Sequence, residues 1–258
     1  MNNNHPIGIF DSGIGGTSIW KEINHLLPNE KTIYLADSKN APYGQKSKEE
    51  IIALSIKNTE ILLEMECKLI VVACNTATTN AIKELRDKYD VPFIGIEPAI
   101  KPAATNSKTQ TIGILATQGT LSSELFYTTA QKFQSTKIVE QVGHGLVQLI
   151  ESGAINSPEM KELLLSYLTP MIAANIDYLV LGCSHYPYLI PQIRAILPDN
   201  IEIIDSGEAV AKQTKNLLKD SIGFTSENHN EAVFYTNTDA TVLNEILGHN
   251  YTIIKKDF

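Results

Sequence analysis

The chain has 258 residues, 43% of them hydrophobic, and a formal net charge of −8. That length supports a large core, as one big domain or two smaller ones. Arginine occurs only at Arg86 and Arg194, and the acidic balance argues against a nucleic-acid surface, which needs a basic stripe. No apolar run approaches the roughly 20 residues of a membrane span. The opening Met1-Asn2-Asn3-Asn4-His5-Pro6 lacks the charged and apolar regions of a signal peptide. The expectation is a cytoplasmic protein with neither nucleic acid nor membrane as partner.

The first predicted strand is Ile7-Gly8-Ile9-Phe10, ending in Asp11-Ser12-Gly13-Ile14-Gly15-Gly16-Thr17 before a helix to about Leu27. The glycines do not follow Gly-x-Gly-x-x-Gly and read as a tight turn into that helix. Ile33 to Ala36 is the second strand, followed by Asp37-Ser38 and the loop Ala41-Pro42-Tyr43-Gly44. A long amphipathic helix is expected from about Ser47 to Glu66. Next comes the apolar run Leu69 to Ala73, which ends in Cys74-Asn75-Thr76 and feeds a helix to about Tyr89. Val91 to Ile96 is a fourth strand, left by Glu97-Pro98-Ala99.

Then the pattern restarts. Ile112-Gly113-Ile114-Leu115 echoes the first strand and ends in the loop Ala116 to Thr120. Lys137 to Gln141 echoes the second, Tyr178 to Gly182 the third, and Ile201 to Ile204 the fourth. Matched positions (Ile7 and Ile112, Ile33 and Ile138, Ile70 and Leu179, Phe93 and Glu202) are offset by 105, 105, 109 and 109 residues. So regular an offset indicates a duplicated βα lobe. Strands alternating with helices give an α/β fold of two pseudo-symmetric lobes, each a parallel sheet flanked by helices. The tail contains a helix from Gly207 to Leu218, a strand at Val233 to Thr236, a short helix and a strand at Tyr251 to Ile254. It has no counterpart in the second half. It is assigned to the first lobe, giving residues 1–98 plus 207–258 for that lobe and 99–206 for the second. Lys219 to Glu231 reads as a polar surface loop.

The third strand of each half ends alike, in a small residue, a cysteine and two polar side chains: Ala73-Cys74-Asn75-Thr76 and Gly182-Cys183-Ser184-His185. Open α/β sheets bind ligands at such carboxyl strand ends. Three cysteines without a secretion signal argue against structural disulfides, and no Cys/His spacing suits a metal. Cys67, at a helix-to-strand junction, reads as a small buried hydrophobe. Cys74 and Cys183, at strand-to-helix turns, are expected to have lowered thiol pKa values, with Asp11 and His185 as proton partners. Two sulfurs on opposite faces of a carbon suit stereo-inversion: a thiolate removes a proton from one face and a thiol delivers one to the other. No cofactor is then required. The cleft loops are rich in hydroxyls and amides and contain no lysine or arginine. Helix N-termini can hold a small anion without either.

These residues carry a resemblance to glutamate racemases of the aspartate/glutamate racemase family along the whole chain. It rests on Gly8 to Gly16, Ala36-Asp37 with Pro42-Tyr43-Gly44, Ala73 to Ala77, Leu115-Ala116-Thr117, Gly182 to Pro187 and Asp205-Ser206-Gly207. The resemblance implies interconversion of L- and D-glutamate, without a cofactor, for peptidoglycan synthesis. By position it makes Cys74 and Cys183 the acid/base pair, with Asp11, His185 and Glu151 as further catalytic groups. It places Asp11, Ser12, Pro42, Tyr43, Gly44, Asn75, Thr76, Ser184 and His185 around the substrate. The family usually has threonine after the second cysteine; here Ser184 keeps the hydroxyl and drops a methyl. Asp37 and Asp205 read as turn-ordering residues.

Three rivals remain open on the sequence alone: racemisation of aspartate, a two-lobed binding protein with redox-sensing cysteines, and a pyridoxal phosphate racemase. A homodimer is compatible with the chain, which does not encode its oligomeric state legibly.

Overall fold

The computed structural model describes residues 3–226 and 231–258. The first half runs β1 (Ile7–Asp11), α1 (Thr17–Leu26), β2 (Thr32–Ala36), α2 (Lys48–Glu64), β3 (Leu69–Val72), α3 (Asn75–Lys88) and β4 (Phe93–Gly95). After α4 (Ile100–Asn106) come β5 (Thr111–Ala116), α5 (Gln118–Leu121), α6 (Glu124–Ala130), β6 (Lys137–Val142), α7 (Leu146–Glu151) and α8 (Pro158–Ala173). The chain continues through β7 (Tyr178–Gly182), α9 (Ile190–Arg194), β8 (Glu202–Ile204), α10 (Gly207–Leu217), β9 (Ala232–Thr236), α11 (Thr241–Leu247) and β10 (Thr252–Lys255).

Two sheets result, ordered β10-β9-β2-β1-β3-β4 and β6-β5-β7-β8. Every pairing is parallel. The fold is therefore α/β, with two parallel sheets flanked by helices. Both sheets contain the order second-first-third-fourth. The first adds β9 and β10 at the outer edge of β2.

Burial explains the strand sequences. All residues of β1 and β3 are buried, which is why they read as unbroken apolar runs. Edge strand β10 is largely exposed. The tail is drawn to the first sheet by aromatic packing. Trp20 on α1 meets Phe234 at 4.8 Å and Tyr251 at 4.9 Å, both edge-on, a favoured aromatic geometry. Helix α2 starts at a reciprocal cap: Ser47 Oγ accepts from Glu50 N–H while Glu50 Oε2 accepts from Ser47 N–H. Among the described residues no helix is long and apolar enough to cross a membrane.

Three expectations change. Strand β4 is shorter than Val91 to Ile96, since Pro92 has no N–H to give a ladder. After α10 the chain makes a π-helical turn over Leu218–Ile222, so the loop expected from Lys219 begins later; residues 227–230 of it lie outside the described residues. Cys183 is not followed by a long helix. A 3₁₀ turn, Tyr186–Leu189, leads into the five-residue α9.

Candidate active site

In each sheet the connections depart in opposite directions from the first and third strands. This topological switch leaves a crevice at their carboxyl ends. Asp11 ends β1 and Cys74 follows β3; Thr117 follows β5 and Cys183 follows β7. The two crevices face one another around a nearly closed cavity of about 10 Å³. Ser12, Pro42, Tyr43, Gly44, Cys74, Asn75, Thr76, Ser184, His185 and Cys183, all expected from the sequence, line it together with Thr117 and Val147. Asp11 and Glu151 stand behind this lining.

Cys183 Sγ lies 3.8 Å from His185 Nδ1, and His185 Nε2 lies 2.6 Å from Glu151 Oε1. A carboxylate accepts, so Nε2 carries a proton. Burial alone would lower the pKa of His185. The hydrogen bonds to Cys183 and Glu151 and the charge of Asp11 outweigh it and raise the pKa well above the ordinary histidine value. His185 is thereby held as an imidazolium beside the sulfur.

Cys74 has different company. Its thiol donates to Ser12 Oγ at 3.7 Å, and Sγ accepts from Ala77 N–H at 3.4 Å as the side-chain cap of α3. The sequence predicts a lowered pKa at this helix start. The structure raises it: burial and the neighbouring Asp11 charge outweigh the Ala77 and Ser12 hydrogen bonds. Cys74 is therefore held as a thiol. Asp11 makes no hydrogen bond to it. The Asp11 carboxylate accepts from Gly13 N–H, Gly16 N–H and the Ser184 hydroxyl at 3.2, 3.0 and 3.1 Å. Burial pushes its own pKa up, against the pull of His185 and Gly16.

Asn75 is buried at the start of α3, and among the described residues its amide N and O have no hydrogen-bond partner. An unpaired buried amide costs about 1–3 kcal/mol, so it marks where a polar ligand group would complete the site. No group of three or more His, Cys, Asp or Glu side chains among the described residues is arranged to hold a metal ion.

Hydrogen bonds tie the two sheets together around the cavity. Glu151 accepts from Ile14 N–H at 2.7 Å and from Ser38 Oγ at 2.9 Å. Thr17 Oγ1 meets Tyr188 OH at 2.6 Å, and Thr76 Oγ1 meets Thr117 Oγ1 at 2.8 Å. The glycine loop serves this closure. A Cβ on Gly13 would lie 1.9 Å from Glu151 Oε1, and one on Gly15 would lie 2.1 Å from His185 Nδ1. The loop is thus bare to admit the Glu151–His185 pair.

Of the site residues, Val147 escapes the sequence reading. A signal existed, because the 105-residue offset that matches the first two strands carries Pro42 onto Val147. Asp37 is more than a turn residue: it is fully buried and accepts from Tyr43 OH at 2.6 Å. Asp205 does order a turn, accepting from Gly207 N–H at 2.7 Å.

Residues 7–214 match the Asp/Glu/hydantoin racemase family model. The chain is 46% identical over 215 residues to a glutamate racemase of Ectopseudomonas mendocina, spanning 83% of this chain and 82% of that one. It is 41% identical over 244 residues to one of Pseudomonas putida, spanning 94% and 92%. A glutamate racemase isoform of Bacillus anthracis superposes with a TM-score of 0.89 at 28% identity, covering 100% of this chain and 99% of that one. The Escherichia coli glutamate racemase, solved with L-glutamate and the activator UDP-MurNAc-Ala, superposes with a TM-score of 0.86 at 31% identity, covering 98% of each chain. The chain belongs to the Asp/Glu/hydantoin racemase family, among its glutamate racemases.

Proposed function

We propose that this chain interconverts L- and D-glutamate without a cofactor, by two cysteines acting on opposite faces of Cα, and so supplies D-glutamate for peptidoglycan synthesis. The observation that carries this reading is the pair of buried thiols, at matched strand ends of two sheets, lining one small cavity with the unpaired amide of Asn75. The relatives at 41–49% identity, all glutamate racemases, support glutamate as the substrate.

In the mechanism, glutamate binds with Cα between the sulfurs. Its α-carboxylate and amino group engage the Asn75 amide and the hydroxyls of Ser12, Thr76, Thr117 and Ser184. Backbone N–H groups at the start of α3 favour the negative charge. To act on one enantiomer Cys183 must give up its proton, with His185 beside it at 3.8 Å, while Cys74 keeps its own. Cys183 removes the α-proton, and Cys74 gives its proton to the other face. The sulfurs end with their states exchanged, and proton exchange with solvent after the product leaves restores them. General base catalysis supplies roughly 10²–10⁴-fold. The remainder comes from alignment and from a preorganised, water-poor site. Glu151 orients His185, and Asp11 holds the loop that carries Ser12. Residues 1–98 with 207–258 form one lobe and 99–206 the other, and substrate enters as they part. The protein works in the cytoplasm.

Incubation in D2O with L-glutamate, and separately with L-aspartate, tests this. The expected result is inversion of glutamate with one solvent deuterium at Cα of the product, and slow or no inversion of aspartate. Folded, reduced protein that leaves Cα unexchanged in both samples would refute the reading.

A further inference from the structure

Tyr43 reaches the cavity from a loop with only two short 3₁₀ turns, Ser38–Asn40 and Tyr43–Gln45. Something other than a helix or strand must hold it. Its hydroxyl donates to Asp37 Oδ2 and accepts from Asn58 Nδ2 at 3.1 Å. Asp37 in turn is gripped by residues distant in sequence. Asn237 Nδ2 donates to Oδ1 at 2.5 Å, and Lys57 Nζ reaches both oxygens at 3.1 and 3.2 Å. Asn237 is itself fixed, since its Oδ1 accepts from Lys39 N–H at 2.8 Å. Lys57 Nζ also donates to Phe258 O at 3.2 Å.

We propose that Asn237 and Lys57 are positioning residues for substrate binding: they lock the Asp37 carboxylate that holds Tyr43, and with it the Pro42 and Gly44 wall of the cavity. The inference rests on reading that cavity as the racemase site. A carboxyl group buried from water is costly unless it is paired and hydrogen-bonded, and Lys57 Nζ at 3.1 Å supplies the pair. Asn237 sits just beyond β9, in the strand pair that the second sheet lacks. The 105-residue offset carries Asp37 onto Val142, which has no carboxylate to build a second hub. The corresponding loop of the second half, which leads to Val147, is held differently, by Tyr186 OH donating to Gly143 O and Tyr167 OH donating to His144 O. The appended strands thus give the first half a means of fixing a loop that the second half fixes with tyrosines.

The test is steady-state kinetics in both directions on Asn237→Ala, Lys57→Met and Tyr43→Phe, with melting temperatures. Each variant should raise KM for glutamate about tenfold, the equivalent of about 1.4 kcal/mol, with kcat within about threefold. Asn237→Ala combined with Tyr43→Phe should be no worse than Tyr43→Phe alone, because both act through one contact. Asp37→Asn should also raise KM, because Lys57 Nζ then loses its carboxylate and one of the donors on Asp37 faces an amide N–H instead. An unchanged KM in an active enzyme, or strictly additive losses, would overturn the proposal. A wild type inactive on glutamate would defeat the functional reading instead. Positioning is then read from the rate at which iodoacetamide alkylates Cys74 in folded protein. That rate should rise at least threefold in Asn237→Ala and Lys57→Met, and an unchanged rate would overturn the inference.

Discussion

The two sides of the cavity descend from one pattern and solve the same problem differently. On the Cys183 side an imidazolium, backed by Glu151, stands beside the sulfur. On the Cys74 side, among the described residues, the sulfur's partners are a hydroxyl and a helix-start N–H, with the Asp11 carboxylate nearby. The difference shows that a symmetric task, taking a proton on one face and giving it on the other, does not need symmetric groups. It needs one thiolate and one thiol at the moment of reaction, in either order, because the enantiomer decides which sulfur takes the proton.

Removing either sulfur should break this comparison most severely. In Cys74→Ala and in Cys183→Ala, inversion should fall by about 10²–10⁴-fold or more. Each variant should still wash deuterium into one enantiomer without inverting it, and the two should choose opposite enantiomers. NMR of Cα deuterium in separate L- and D-glutamate samples reads this; the same enantiomer exchanging in both variants would sink the two-face assignment. Next in size is Gly15→Ala. Its Cβ would press on His185 Nδ1, and a shift of about 1 Å in a catalytic group can cost about 10²-fold. Activity should drop by that order while Cys74 alkylation stays at the wild-type rate, confining the damage to the Cys183 side.

Asp11 lies between the two sides and sharpens the comparison through pH. Its folded pKa is raised by burial, so the folded protein prefers Asp11 protonated. Ionised Asp11 therefore lowers stability increasingly as pH climbs from its unfolded value of about 3.9 through the folded value. Asp11→Asn should melt higher than wild type at pH 7, and the gap should close as pH falls toward 4. Activity should nevertheless fall by roughly 10²-fold, since an anion that steadies His185 and the glycine loop is lost. Thermal melts across pH check the sign. The smallest effect expected is Ser184→Thr, which keeps the hydroxyl bonded to Asp11 and adds one methyl. Turnover within about threefold of wild type is expected, as is usual for a small volume change a site can absorb.

The architecture was legible because both-face burial writes long apolar runs, and a duplication writes them twice at a nearly fixed interval. Cysteines at matched strand ends made the core of the site legible as well. The environment of those sulfurs was not. A helix start lowers a thiol pKa in general, yet at Cys74 desolvation and Asp11 prevail, and neither can be weighed before burial is known. Gly13 and Gly15 announced a bare loop without saying that Glu151 and His185 fill it. The hub around Asp37 draws on Lys57, Asn58 and Asn237, contacts between segments up to 200 residues apart that leave no local pattern.

The cavity lining contains no lysine or arginine, in a chain carrying a net charge of −8. Hydroxyls and amides can grip an anion at contact distance, but they cast no long-range field to call one in. A dissolved amino-acid anion approaches this protein against a mild repulsion rather than down a funnel. Added salt, which screens that repulsion over a Debye length of about 10 Å at 0.1 M, should speed substrate capture, the reverse of its action on electrostatically steered enzymes.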